Sequence, residues 1–375
     1  MMRRSVLCLL ALVVALLLLN GCRKDEPRTS EVQPGTNAPK VQGFYLLNQG
    51  AFGTNKASLD YYDAVAGIYT RDVYATNNPE QVKALGDVGN DLQVYGSKLY
   101  AVLNGSNKVE VIDLATTRSL GKVDIASPRN IRFAGGRGYV TSYVAAGGAT
   151  GEVVAIDTAN FTPQWRVPVG REPEELAVID ARLYVANSGG FKKPDYERTL
   201  SVIPIAEQRV AETIDVGTNL ELVRVDAHGQ LWVTARGNYA EVASSLYCLA
   251  KDPATGKYAV AKDLQLPCTR FDIRGDTLLY YSTAYDATGK ASSTFGMVNV
   301  RTREKLAGQF IADGTETEIR TPYNVVFQPD GGNVYVLDAK DYKSSGELFA
   351  YSHSGRLLWR YKTGDIPACI AFVGK

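Results

Sequence analysis

From Gly43 onward, short apolar stretches alternate with polar or glycine-bearing turns, and one pattern returns seven times: a turn, an apolar pair with an aromatic, then a small or polar loop. Tyr45, Tyr100, Tyr139, Tyr184, Trp232, Leu279 and Tyr335 mark the returns, at spacings of about 39 to 56 residues. An alternating stretch follows each, as in Val109–Asp113, Val153–Asp157 and Leu200–Pro204. A fourth ends in a Gly or polar turn, as in Trp165–Val169 and Leu357–Lys362. The strand opening each repeat falls at Asn90–Tyr95, Pro128–Phe133, Pro173–Ile179, Leu220–Val225, Thr269–Ile273, Pro322–Phe327 and Ile366–Phe372. Four short strands per repeat of this length describe a propeller blade. The predicted fold is all-β: a seven-bladed β-propeller of four-stranded blades. Its C-terminal inner strand completes the N-terminal blade, so the closed ring leaves no exposed sheet edge at the joint.

The residues before this region read differently. Met1–Ser5 carries two arginines, Val6–Leu19 is nearly all apolar, and Asn20-Gly21-Cys22 follows. A charged start, a short apolar core and a small residue before the cut form a secretory signal, too short for a spanning helix. Leu19-Asn20-Gly21-Cys22 resembles the bacterial lipobox, and the resemblance implies that Cys22 is acylated and becomes the first residue of the mature chain. Arg23-Lys24-Asp25-Glu26 resembles the signal that sends lipoproteins of Bacteroidota to the cell surface. Three prolines between Pro27 and Val41 suit a flexible spacer. Residues 1–21 are thus expected to be a signal peptide, 22–42 a lipidated cysteine and tether, and 43–375 the propeller. The implied location is the outer membrane, lipid-anchored and facing the cell exterior, with the lipid as the sole membrane contact.

Composition narrows the chemistry. Without Arg3 and Arg4 the mature chain keeps 39 of its 41 basic residues against 40 acidic ones, no basic footprint for nucleic acid. Glycine and tyrosine are abundant, at 35 and 22, and histidine is scarce, at 2. His228 precedes Gly229 and His353 lies two residues before Gly355, each in a predicted turn, so Ser/His/Asp catalysis and a histidine-bearing metal centre lack support. Asp63, Asp113 and Asp157 end third strands, where a short acid satisfies turn amides. The acidic runs Asp338–Asp341 and Glu172–Glu175 follow no known metal loop. No catalytic residue, metal or required cofactor is expected, and the reading is of a binder, monomeric, rather than an enzyme. Cys248, Cys268 and Cys369 remain after processing; either one bridge forms or all three are small buried apolar residues.

Leu183–Gly189 with Thr199–Ile203 resembles the YVTN repeat of YncE-like propellers. Asn48–Gly53, Tyr95–Tyr100 and Thr363–Pro367 resemble surface lipoprotein propellers of Bacteroidota, among them the BtuG-type cobalamin-capture proteins. The resemblance spans nearly all of the chain from Gly43. It implies capture of a corrinoid such as cobalamin for transfer to a TonB-dependent transporter of the outer membrane. The alternative is a protein–protein scaffold in a surface uptake complex, with no small ligand of its own.

One feature exceeds the blade pattern. Phe52, Phe191, Tyr239 and Tyr342 lie at one recurring offset beyond the strand aromatic, and Tyr285 and Tyr143 at slightly shorter ones. Loops between second and third strands share one face, so these six are expected to form an amphipathic floor around the channel. The loops entering the inner strands reach the same face. They offer Arg129, Asn130, Arg270, Arg320, Tyr323 and Asn324, with Glu174, Glu175, Asn219 and Glu221, as polar groups that orient a ligand.

Overall fold

A computed structural model of the chain describes residues 30–32, 41–81, 84–145, 147–148, 150–286 and 288–374. The signal peptide (1–21), the lipidation site Cys22 and most of the tether (22–42) lie outside the described residues. Seven antiparallel sheets are present, and in six of them four strands follow in chain order from the inside outward. The seventh joins the two ends of the chain. Its inner strand is Pro367–Gly374, followed outward by Val41–Asn48, Ser58–Asp63 and Ile68–Thr70, with Ser30–Val32 on the outer edge. The seven-bladed ring with its C-terminal clasp is therefore the fold. The other inner strands are Gly89–Tyr95, Pro128–Ala134, Pro173–Ile179, Leu220–Val225, Arg270–Arg274 and Pro322–Phe327. Blades are numbered from the clasped blade, so Gly89 opens blade two.

The alternation of side chains explains the near-continuous apolar runs. In Arg182–Asn187 of blade four, Leu183 and Val185 point toward blade three, while Tyr184 and Ala186 point toward blade five. A strand covered on both faces needs apolar residues at every position. Seven hydrophobic clusters result, one at each junction of neighbouring blades. Blade six has a fourth strand of only two residues, Glu304–Lys305. The long connection after it compensates by burying Phe310, Ile311 and Ile319 in the junction with blade seven.

The clasp junction is the most aromatic. Phe44 meets Tyr335 edge-on with centroids 5.1 Å apart, and Tyr69 stacks on Tyr361 at 4.9 Å. Tyr62 packs on Trp359 at 4.8 Å. Buried Asp60 of blade one accepts from the Tyr69 hydroxyl at 2.8 Å and from the Gly364 amide of blade seven at 3.3 Å, pinning the seam. The third-strand acids act as expected: Asp113 Oδ1 accepts from the amides of Ala115 and Thr116 at 3.2 and 2.8 Å, and Asp157 repeats the arrangement. All three described cysteines are free. Cys248 and Cys268 sit buried in one junction, which decides for apolar packing over a bridge.

A chain ending at Asp365 lacks the inner strand of the clasped blade and leaves Val41–Asn48 unpaired on one side. It is expected to lose the cooperative thermal transition in circular dichroism; a sharp melt close to that of the intact chain would contradict closure by the clasp.

Candidate functional site

The loops that follow second strands and those that lead into inner strands meet at one end of the ring, and backbone hydrogen bonds join them. Tyr143 N donates to Ser127 O at 3.2 Å, Ser188 N to Glu172 O at 3.2 Å, Arg236 N to Asn219 O at 2.8 Å and Ala339 N to Thr321 O at 2.9 Å. Five of the six predicted aromatics project from this end: Phe52 is 83% exposed, Tyr239 67%, Tyr285 65%, Phe191 61% and Tyr342 43%. Tyr143 does not. It is 9% exposed, with its hydroxyl 2.7 Å from Glu174 Oε1 and its ring 4.8 Å from the Arg129 guanidinium. Its shorter offset along the loop leaves it inside the ring, supporting Phe191, which it meets edge-on at 5.9 Å.

Tyr239 and Tyr342 stand on shaped loops, whereas Tyr285, expected on a loop, is the last residue of the strand Thr277–Tyr285, beside a third such loop. Asn238 Oδ1 accepts from the amides of Ala240 and Val242 at 3.0 and 2.8 Å, Asp341 Oδ1 from Lys343 and Ser344, and Asp286 Oδ1 from Thr288 and Lys290. A short polar side chain that captures amides two to four residues on folds the loop locally. Tyr239 and Tyr342 have φ of 58° and 61°, a left-handed backbone that a bulky residue adopts only when its surroundings impose it. Gly237 sets up the first of these turns: its φ is 71°, and a Cβ there would lie 2.0 Å from Val242 O.

Beneath the loops the inner strands enclose a channel cavity of about 540 Å³. Its wall carries two tiers of charge. In the upper tier Arg129 Nη2 donates to Glu174 Oε2 at 2.9 Å and Arg236 Nη1 to Glu174 Oε1 at 3.2 Å. Arg236 Nε reaches Glu221 Oε2 at 2.8 Å, and Arg270 Nη1 reaches Glu221 Oε1 at 2.5 Å. In the lower tier Arg132 binds Asp91 at 2.7 Å and also Glu175, while Arg224 lies 3.3 Å from Glu175 and 3.2 Å from Asp272. Each lower carboxylate also accepts an amide of another blade: Ile131 N on Asp91 at 3.0 Å, Val223 N on Glu175 at 3.1 Å and Phe327 N on Asp272 at 2.8 Å. The lower tier thereby stitches inner strands together. Burial would raise the Glu174 carboxyl, but the Arg129 and Arg236 charges outweigh it and hold it near 2.

The remaining predicted residues divide by role. Arg129, Asn130, Arg270, Tyr323 and Asn324 line the channel with Glu174, Glu175 and Glu221. Asn324 serves the closure, donating to Ala368 O at 2.8 Å. The Tyr323 hydroxyl donates to Gln49 Oε1 at 2.5 Å and its ring meets Tyr342 edge-on at 6.0 Å. Arg320 is exposed and its backbone is held by Asp338. Asn219 is buried at the base of the Tyr239 loop, donating to Gly237 O at 3.3 Å. Arg236 escaped the sequence reading because it lies just past a second strand, where no repeat signal marks it. His228, in the turn between the first two strands of blade five, lies at the opposite end and pairs with Asp276 at 2.7 Å. Among the described residues no group of three or more His, Cys, Asp and Glu side chains could hold a metal ion.

The Glu174 pairing makes stability acid-sensitive. A carboxyl depressed from about 4.5 to about 2 contributes stability above the unfolded value, lost as pH falls through the folded one. Between pH 4.5 and 2 the stability gap between the native chain and Glu174→Gln should narrow by about 3 kcal/mol in urea melts; a constant gap would contradict the pairing.

A search of curated proteins finds no sequence match. Solved structures share the fold at low identity. A hypothetical selenium-binding protein from Sulfolobus tokodaii is 12% identical with a TM-score of 0.62, over 90% of this chain and 94% of that one. A quinonprotein alcohol dehydrogenase-like protein from Bacteroides thetaiotaomicron is 12% identical with a TM-score of 0.58, over 90% and 79%. Apo AztD from Citrobacter koseri is 10% identical with a TM-score of 0.53, over 89% and 98%. At such identities these likenesses speak for the propeller alone. The family profile described as a domain of unknown function, DUF5074, matches residues 42–259, more than half of the chain, and the protein belongs to that family.

Proposed function

We propose that the aromatic end of the ring is a capture face for a flat, partly apolar ligand, carried by a lipid-anchored chain on the cell surface. The observation that carries this reading is the display of Phe52, Phe191, Tyr239, Tyr285 and Tyr342 to solvent around one channel mouth. Large apolar groups exposed together on one face of a folded chain are a mark of a binding surface. Aromatic rings give broad contact at low cost in side-chain freedom, and loops already folded lose little entropy on binding.

A corrinoid such as cobalamin is the ligand to test first. It combines broad apolar faces with polar amide edges, and the propeller resemblance implies it. In this reading an outer-membrane TonB-dependent transporter receives the ligand, and the ring contributes affinity rather than catalysis. Both histidines occupy turns at the end away from the aromatic loops, which fits binding better than hydrolytic chemistry.

Titration with cyanocobalamin followed by its visible absorption should give a shift saturating at micromolar concentration or below, about −8 kcal/mol. Replacing Tyr239, Tyr285 and Tyr342 together by Ala should weaken binding at least about a hundredfold, since buried aromatic anchors dominate such faces, with the melting temperature nearly unchanged. Spectral silence refutes the corrinoid; retained affinity in the triple variant refutes the face.

A further inference from the structure

The two channel tiers carry opposite imbalances. The upper tier sets three guanidiniums, Arg129, Arg236 and Arg270, against two carboxylates, Glu174 and Glu221. The lower sets two guanidiniums, Arg132 and Arg224, against three carboxylates, Asp91, Glu175 and Asp272. The channel is therefore polarised along its axis, positive beside the aromatic loops and negative below. Low-dielectric walls focus such a field at the mouth.

The upper tier is also an open arc. It runs through blades three to six and ends in a guanidinium on each side, Arg129 and Arg270. Blades seven, one and two close the circle at this height with neutral groups: Tyr323, Ala368 and Asn90. Arg270 spends Nη1 on Glu221, while its Nε and Nη2 find no protein acceptor among the described residues. Its side chain is 28% exposed to the channel. Tyr323 ties the gap to the outer aromatics through its edge contact with Tyr342, and Arg129 does the same through Tyr143 and Phe191.

We propose that this gap takes an oxyanion, a carboxylate or a phosphate group, on a ligand whose flat body lies across the exposed aromatics. The inference rests on the capture reading above and adds a charge requirement to it. Guanidinium N–H groups bind oxyanions through short, charge-assisted hydrogen bonds, and a third positive group already matched to only two carboxylates accepts the anion without stranding a partner.

Four small probes test it by calorimetry or saturation-transfer NMR: phenyl phosphate, benzoate, benzyl alcohol and benzylamine. At low salt the two anions should bind roughly tenfold tighter than benzyl alcohol, with benzylamine weakest, and added sodium chloride should erase the difference. Arg270→Gln should remove the anion advantage and leave benzyl alcohol unchanged; it is expected to fold because Glu221 keeps Arg236 at 2.6 Å. Arg270→Lys retains the charge, should keep part of the preference, and serves if the glutamine variant proves unstable. Equal binding of all four probes overturns the oxyanion site and leaves the capture face standing. An anion preference that survives Arg270→Gln also overturns the site. Binding of none of them overturns both.

Discussion

Every middle strand of this protein is covered on both faces, and that constraint governs the rest. Alternate side chains of one strand belong to different junctions, so each blade is stable only between two neighbours. An open arc of such blades would leave one apolar sheet face in water at each end. Closure is consequently a requirement, and the chain meets it by returning Pro367–Gly374 to pair with Val41–Asn48. The concentration of rings at that seam, Phe44, Tyr62, Tyr335, Trp359 and Phe372, suits a junction that must hold two distant parts of the chain together.

The same constraint creates the channel chemistry. Inner strands bury their outward residues between blades and turn the others toward the axis, where a hydrocarbon lining would gain nothing from a partly open pore. From blade two to blade six, acids and arginines face it instead. Because burying a charge is costly unless it is paired and hydrogen-bonded, the lower carboxylates take both a guanidinium and a backbone amide. The upper tier has fewer such backbone ties and one guanidinium in excess, which makes it the part of the wall with bonding capacity to offer.

Much of this architecture was legible in the sequence. The recurring aromatic–aliphatic pair located the second strands, and the strand opening each repeat fell within a residue or two of the inner strand observed, because period-two burial imprints every blade alike. The exposure of Phe52, Phe191, Tyr239 and Tyr342 was also legible, since large rings beyond the strands have no junction to fill; Tyr285 is exposed too, but as the last residue of a second strand that outruns its blade. The fate of Tyr143 was not: a shorter loop brings it inside the ring, and loop length alone does not reveal which way a ring turns. Likewise Asn324 and Glu175 read as ligand partners but join inner strands to each other. Pairing across the channel depends on side chains many residues apart, and no local pattern encodes which arginine meets which acid. Arg236 shows this most clearly, bridging Glu174 and Glu221 from just past the end of a second strand.

What unites fold and proposed role is a division of the tyrosines into supporting and displayed sets at one end of the ring. Limited nitration with tetranitromethane, mapped by mass spectrometry on the folded chain, tests that division directly. Tyr239, Tyr285 and Tyr342 should react first, while Tyr143 remains protected until the ring unfolds. Protection of the first three, or reaction of Tyr143 at a comparable rate, would contradict the account.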